Sequence, residues 1–196
     1  NPATQFILEL RRRDPIEFTF MLIFHLSDDS NETGSRALAA ILIYNILHQR
    51  TYESQRKFNI DWVNNVDPEI RERLRLSATI GLFTDSPSLS IQCANLLGLF
   101  YSIEILKGNF IDQIAEMLNI VGNSDSLPAR IASLYMFKCF QQSCYEYSPN
   151  CYTNDNLKPL TLSLFDMLIE GMNSGIMVGL LQNREISLFV LWWAPL

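Results

Sequence analysis

Apolar residues recur along this chain at every third or fourth position, and strict apolar–polar alternation is rare. Ala37, Leu38, Ile41, Leu42, Ile46 and Leu47 make one helical face at i, i+3/i+4 spacing. Ala94, Leu97, Gly98, Tyr101 and Ile105 repeat the pattern, as do Ile111, Ile114, Ala115, Leu118 and Val121. Ile131, Leu134, Tyr135, Lys138 and Cys139 follow it with one polar intruder, and Leu160, Leu164, Leu168 and Met172 run at spacing four. Several of these helices are apolar over more than half their circumference. They need cover on two sides, as helices have in a layered stack.

The punctuation between stripes fits helices of about four turns. Asp14-Pro15 and Asp67-Pro68 each place a capping acceptor before a proline at the first helical position, where the missing N–H does no harm. Asn1-Pro2 and Ser86-Pro87 repeat that grammar, and Glu17 offers a capping box with Asp14. Loops are expected at Asp28–Gly34, Gly122–Ser126 and Tyr147–Asn156. Eight helices follow, read in pairs: Pro2–Arg13 with Asp14–Ser27, Ser35–Gln49 with Asp67–Phe83, Pro87–Leu106 with Asn109–Val121, and Leu127–Tyr145 with Leu157–Met172. A short helix near Glu53–Val63 bridges the second pair. The pairs start 33, 52 and 40 residues apart, an irregular period near forty that fits HEAT-type helical hairpins. Such hairpins cannot bury their faces alone and therefore stack. The expected fold is all-α, an α-solenoid of about four hairpins.

Composition narrows the function. The 196 residues are 48% hydrophobic and 18% charged, which excludes intrinsic disorder. A net charge of −6 gives no overall basic footprint for nucleic acid and suits a basic protein partner. The longest apolar run, Leu188–Ala194, is too short to cross a bilayer, so no membrane partner is expected. Four cysteines in this length make no disulfide scaffold, and Cys139, Cys144 and Cys151 fit no zinc spacing. The reading is an aqueous, reducing, intracellular compartment. His25 lies near Asp28 and Asp29, and His48 has no acidic residue or cysteine within four positions, so neither closes a metal site. There is no Gly-rich phosphate loop, nucleophile elbow or triad in the sequence. No enzyme activity and no cofactor are expected.

One ordered series of residues is more telling. Phe6-Ile7-Leu8 precedes Asp14-Pro15 and Phe18; Arg36-Ala37-Leu38-Ala39-Ala40 opens a helix ending in Tyr44-Asn45-Ile46-Leu47; a linker carries Trp62; Glu69-Ile70-Arg71 opens the next helix; and Ser90-Ile91-Gln92-Cys93-Ala94 follows. Nearly the whole chain, to about Met172, resembles the amino-terminal Ran-binding HEAT region of the importin-β (karyopherin-β) family of nuclear transport receptors. The resemblance implies a domain order of 1–83 (amino-terminal domain, hairpins 1–2), 84–174 (hairpins 3–4) and 175–196 (an incomplete fifth repeat or divergent tail). It implies that the chain begins after the family's usual start and ends before its cargo-binding repeats. It implies a transport-receptor fragment that binds the small GTPase Ran in its GTP form through a concave face lined by the second helix of each hairpin. Basic cargo or adaptor and Phe-Gly nucleoporins would be partners of the full-length protein, in protein import between cytoplasm and nucleus at the nuclear envelope and pore. Two alternatives stay open: an exportin-type member of the same superfamily, or a HEAT scaffold subunit of a phosphatase or vesicle coat. The 52-residue second repeat with Trp62 favours transport.

The candidate Ran-binding residues are Glu69, Arg73, Asp112, Glu116, Asp166 and Glu170. Asp112/Glu116 and Asp166/Glu170 are each four apart and so share a helix face, which makes an acidic strip or simply a solvated one. Glu69, Arg71, Glu72, Arg73 and Arg75 form a mixed-charge helix start, suited to polar contacts with a GTPase switch region or to surface pairing. Arg11-Arg12-Arg13 reads as a local basic patch for phosphate or an acidic protein, or as cations that simply complement a helix C-terminus. Trp62 is expected to fold the linker onto the second hairpin. Tyr135, Met136, Phe137 and Phe140 read as core, and Cys93 and Cys139 as small buried hydrophobes.

Overall fold

Asp14 shows how the chain enters its first helix. Its Oδ1 accepts the N–H groups of Ile16 at 3.1 Å and Glu17 at 2.9 Å, with Pro15 leading the turn. In the computed structural model the described residues are 13–104 and 127–147, together with 5, 9 and 10. Six helices account for nearly all of them: α1 Pro15–Ser27, α2 Thr33–Leu47, α3 Tyr52–Asn65, α4 Pro68–Leu82, α5 Pro87–Glu104 and α6 Leu127–Tyr147. No strand occurs among the described residues. The all-α expectation holds. The expected helices Asn109–Val121 and Leu157–Met172, most of Pro2–Arg13, and the tail from Gly175 lie outside the described residues.

Two local expectations change. Asp14 donates its own N–H to Leu10 O at 3.1 Å, so Glu17 has no donor left to close a capping box. The bridging element is a full 14-residue helix rather than a short one, because Thr51 Oγ1 caps it by accepting from Ser54 N at 3.2 Å. Asp67 performs as expected, accepting from Glu69 N at 2.8 Å at the head of α4.

The helices pack in two rows. α5 lies between α2 and α6 in one row; α1 and α4 pair in the other; α1 also packs on α2, and α4 on α5. α3 touches α5 and α6. The buried core runs through both rows, from Ile23 and Leu26 on α1, through Ile43 and Leu47 on α2 and Leu74 and Leu82 on α4, to Leu97 and Tyr101 on α5 and Met136 and Phe140 on α6. Each fully buried leucine or isoleucine here contributes about 1.5–3 kcal/mol relative to exposure. Met136, Phe137 and Phe140 are core as expected, whereas Tyr135 is half-buried at the edge.

The buried face of α2 differs from the expected stripe. Arg36, Ala37, Ala39, Ala40, Ile43 and Leu47 face inward, while Leu38 is 53% and Ile41 37% exposed. A helix apolar all round offers several i, i+4 sets, and periodicity alone cannot choose among them. Close approach in the α5–α6 contact is set by a glycine. A Cβ at Gly98 would collide with the Met136 carbonyl oxygen and lie 2.8 Å from both Cys139 Cβ and Phe140 N. Gly81 plays a similar part against the Cys93 side chain.

A recurring device closes the connectors. The last carbonyls of a helix lack intrahelical partners. In three places the fourth residue of the following helix supplies the donor. Arg36 Nε donates to Leu26 O at 2.9 Å while its Nη1 pairs with Asp29 Oδ1 at 2.8 Å. Gln55 Nε2 donates to Leu47 O at 3.0 Å, and its Oε1 accepts Gln49 N–H at 2.6 Å. Ser90 Oγ donates to Leu82 O at 2.6 Å. All three side chains are buried, so each closure fixes how one helix leaves the other.

Both described core thiols are shielded. Burial pushes the Cys93 thiol up to about 12 and the Cys139 thiol up to about 11, from an ordinary value near 9. Their contribution to stability is fully present below pH 9 and is lost as pH climbs toward the folded values, because the unfolded chain releases those protons first. Alkylation of the native chain at pH 8, mapped by mass spectrometry, should leave Cys93 and Cys139 unmodified. Rapid labelling of either would contradict this packing.

Candidate partner-binding surfaces

The mixed-charge start of α4 divides between core and solvent. Arg71 is buried, and its Nη1 donates to Glu104 Oε2 at 2.6 Å. Glu104, with no exposed surface at all, also accepts Trp62 Nε1 at 2.9 Å through Oε1. Phe58 stacks on the Trp62 ring at 5.8 Å. Trp62 therefore carries the linker past the second hairpin to α5, further than its expected reach. Arg71 is not a surface pairing residue, and Glu104 was not singled out from the sequence. The available signal was a lone carboxylate in the otherwise uncharged helix Pro87–Glu104. Glu72 and Arg75 do pair on the surface as expected, with Arg75 Nε 2.8 Å from Glu72 Oε2. The bonded guanidinium lowers the Glu72 carboxyl and the carboxylate raises the Arg75 guanidinium.

Of the six candidate binding residues, Glu69 and Arg73 are described, and both are exposed on α4. Asp112, Glu116, Asp166 and Glu170 lie outside the described residues. Glu69 sits in the capped first turn, where a carboxylate complements the positive end of the helix dipole. Arg73 places its guanidinium 5.5 Å from the centre of the Phe20 ring on α1, a cation–π distance. Around this contact lies an apolar strip that the sequence reading did not anticipate. Ile16 (63%), Phe20, Met21 and Phe24 (62%) are exposed on α1, and Leu76 and Ile80 on α4. Their spacing of four was visible in the sequence, but in α1 it competes with the buried Phe18, Ile23 and Leu26.

A second surface lies in the other row. A cleft of about 300 Å³ opens between α2, α5 and α6, lined by Ile41, Tyr44, Gln92, Asn95, Tyr135, Lys138, Cys139 and Gln142. Lys138 is the charged side chain in this lining. The sequences of the three helices contain only two carboxylates, Glu146 and Glu104, the latter buried. Tyr44 stacks on His48 at 5.6 Å. Among the described residues no cluster of histidine, cysteine, aspartate and glutamate could hold a metal ion. His25 Nε2 lies 3.0 Å from Ser35 Oγ instead. No described helix is long and apolar enough to cross a membrane. The surfaces offer hydroxyls, carboxamides, aromatic faces and a few exposed charges.

No family model matches the chain, and no curated protein sequence matches it. Solved structures do. Yeast importin-β (Kap95p) superposes with a TM-score of 0.69 at 19% identity, covering 87% of this chain and 19% of its own. The Kap95:Nup1 complex gives the same values. The chain has an importin-β-type HEAT fold. A structure in which Kap95p binding induces the switch loops of RanGDP to adopt the GTP-bound conformation matches with a TM-score of 0.62 at 19% identity, over 97% of this chain and 23% of that one. The chain thus spans about a fifth of the length of these importin-β chains.

Proposed function

We propose that this chain is part of an importin-β-type nuclear transport receptor and that it binds Ran in its GTP form, taking part in nucleocytoplasmic protein import. The observation that carries this reading is the fold match over most of the chain to Kap95p, including its structure with Ran. The proposed Ran-facing residues are Glu69 and Arg73 on α4, with Asp112, Glu116, Asp166 and Glu170 beyond the described residues. Residues 1–83, 84–174 and 175–196 are proposed as the amino-terminal domain, the next two hairpins and the tail. Basic cargo or adaptor binds elsewhere in the full-length receptor, which shuttles between cytoplasm and nucleus through the pore. The cleft between α2, α5 and α6, lined by aromatic rings and carboxamides with one lysine, is our candidate for a nucleoporin contact.

The mechanism is a shift between arch shapes. Ran-GTP and cargo favour different curvatures of the stacked helices, so binding one lowers affinity for the other by the same factor. The chain hydrolyses nothing in this scheme; Ran carries the nucleotide. A pull-down with Ran locked in each nucleotide state tests it. Retention of the GTP form well above the GDP form is expected, and the double substitution Glu69→Lys/Arg73→Glu should lower that retention at least tenfold, about 1.4 kcal/mol. Equal, negligible retention of both forms would sink the reading.

A further inference from the structure

Helix α3 is the least anchored described helix in this stack. Four of its 14 residues are buried, and two of those, Gln55 and Asn59, are polar. In α5, by contrast, 13 of 18 are buried. Two polar points hold α3 down. At one end Gln55 bonds Leu47 O, Gln49 N and Asn59 Oδ1. Near the other end Trp62 Nε1 bonds the Glu104 carboxylate. Exposed Glu53, Arg56, Lys57 and Asp61 occupy its outer side. Underneath sits a buried charge pair: Glu104 is fully buried, Arg71 is 7% exposed, and Arg71 Nε is buried without a hydrogen-bond partner among the described residues.

These observations combine in one direction. A buried ion pair loses much of its attraction to the cost of stripping water from both charges. If α3 lifts, Glu104 and Arg71 keep each other, since they sit on α5 and α4, and both regain hydration. The orphaned Arg71 Nε gains a water partner. The apolar cost of opening is confined to Trp62, Val63 and part of Phe58; with two buried apolar side chains, α3 has fewer than any other described helix. Segments with few apolar contacts and hydrogen bonds near solvent open below the global unfolding free energy.

We propose that α3, residues 52–65, is a strap that opens as a unit while the other helices stay folded, and that rehydration of the Arg71–Glu104 pair drives the opening. The strap runs from α2 to α4 and rests on α5 and α6, so it ties the first three packed helices to the next two. Its release removes that tie and loosens the stack at this point. The device depends on the local geometry alone and not on the transport reading.

Native-state hydrogen exchange on the 196-residue chain tests this, read peptide by peptide under conditions where closing outpaces exchange. In the wild-type chain the slowest α3 amides should exchange at least tenfold faster than those of α5. Trp62→Phe removes the bond to Glu104 and should speed α3 at least tenfold more, leaving α5 unchanged. The double substitution Arg71→Met/Glu104→Gln keeps an acceptor for Trp62 but abolishes the buried charges. It should slow α3 exchange at least fivefold, the opposite of what loss of a merely structural bridge would do. Wild-type α3 exchanging in step with α5, Trp62→Phe accelerating both together, or the double variant exchanging no slower than wild type at α3 would each overturn the proposal. If the double variant does not fold, the first two measurements decide it.

Discussion

Glu104→Ala is expected to destabilise the fold by about 3–5 kcal/mol, the usual penalty for stranding a buried charge. The substitution leaves Arg71 charged and unpaired in the interior and deprives the Trp62 N–H of its acceptor, while also opening a small void. In a protein of this size each 1 kcal/mol moves the midpoint by roughly 2–4 °C, so a fall of about 6–20 °C is predicted. Urea melts of Glu104→Ala and of Arg71→Met/Glu104→Gln separate the contributions. The double variant should recover most of the loss, because no ionised group is then left buried alone. A Glu104→Ala chain as stable as wild type would mean that Glu104 is hydrated in solution and the three-residue network does not persist.

Gly98→Ala has the second largest expected effect. Alanine ordinarily strengthens a helix interior by about 1 kcal/mol relative to glycine. Here the methyl meets the backbone of α6, at the Met136 carbonyl and Phe140 N, and backbone cannot swing aside as a side-chain tip can. Overpacking should reverse the sign and reach the upper end of its usual range, about 3 kcal/mol net loss. The same change at Gly34 is the control, since a Cβ there meets nothing nearer than Glu32 Oε1 at 3.9 Å. If thermal melts rank Gly34→Ala below Gly98→Ala, the close α5–α6 approach is wrong.

Much of the fold was legible in the chain for identifiable reasons. Asp14-Pro15 and Asp67-Pro68 marked helix starts because a carboxylate acceptor and a preset φ act locally, and both start where expected. The stripe Ala94, Leu97, Gly98 and Tyr101 is buried because α5 is packed against helices on several sides. On α2, tertiary packing chose the small alanines over Leu38 and Ile41, a choice that depends on how near α1 and α5 approach. Arg71 and Glu104 were harder still. They are 33 positions apart, and a charged residue reads as solvated until its partner is known. The candidate binding surface was legible only in part. Exposure of Glu69 and Arg73 follows from their polarity, but the apolar strip of Phe20, Phe24, Leu76 and Ile80 depends on which side of α1 and α4 the rest of the stack leaves open.

The side chains that seal the connectors also bear on how the stack would yield under tension. Arg36, Gln55 and Ser90 each hold a different carbonyl, and none shares its acceptor with another. Load that pulls successive helices apart at their connectors would therefore meet separate short tethers, at the α1–α2, α2–α3 and α4–α5 joints. Each can rupture and re-form by itself, so stretching would proceed one joint at a time, with the hydrophobic layers between joints moving as intact blocks.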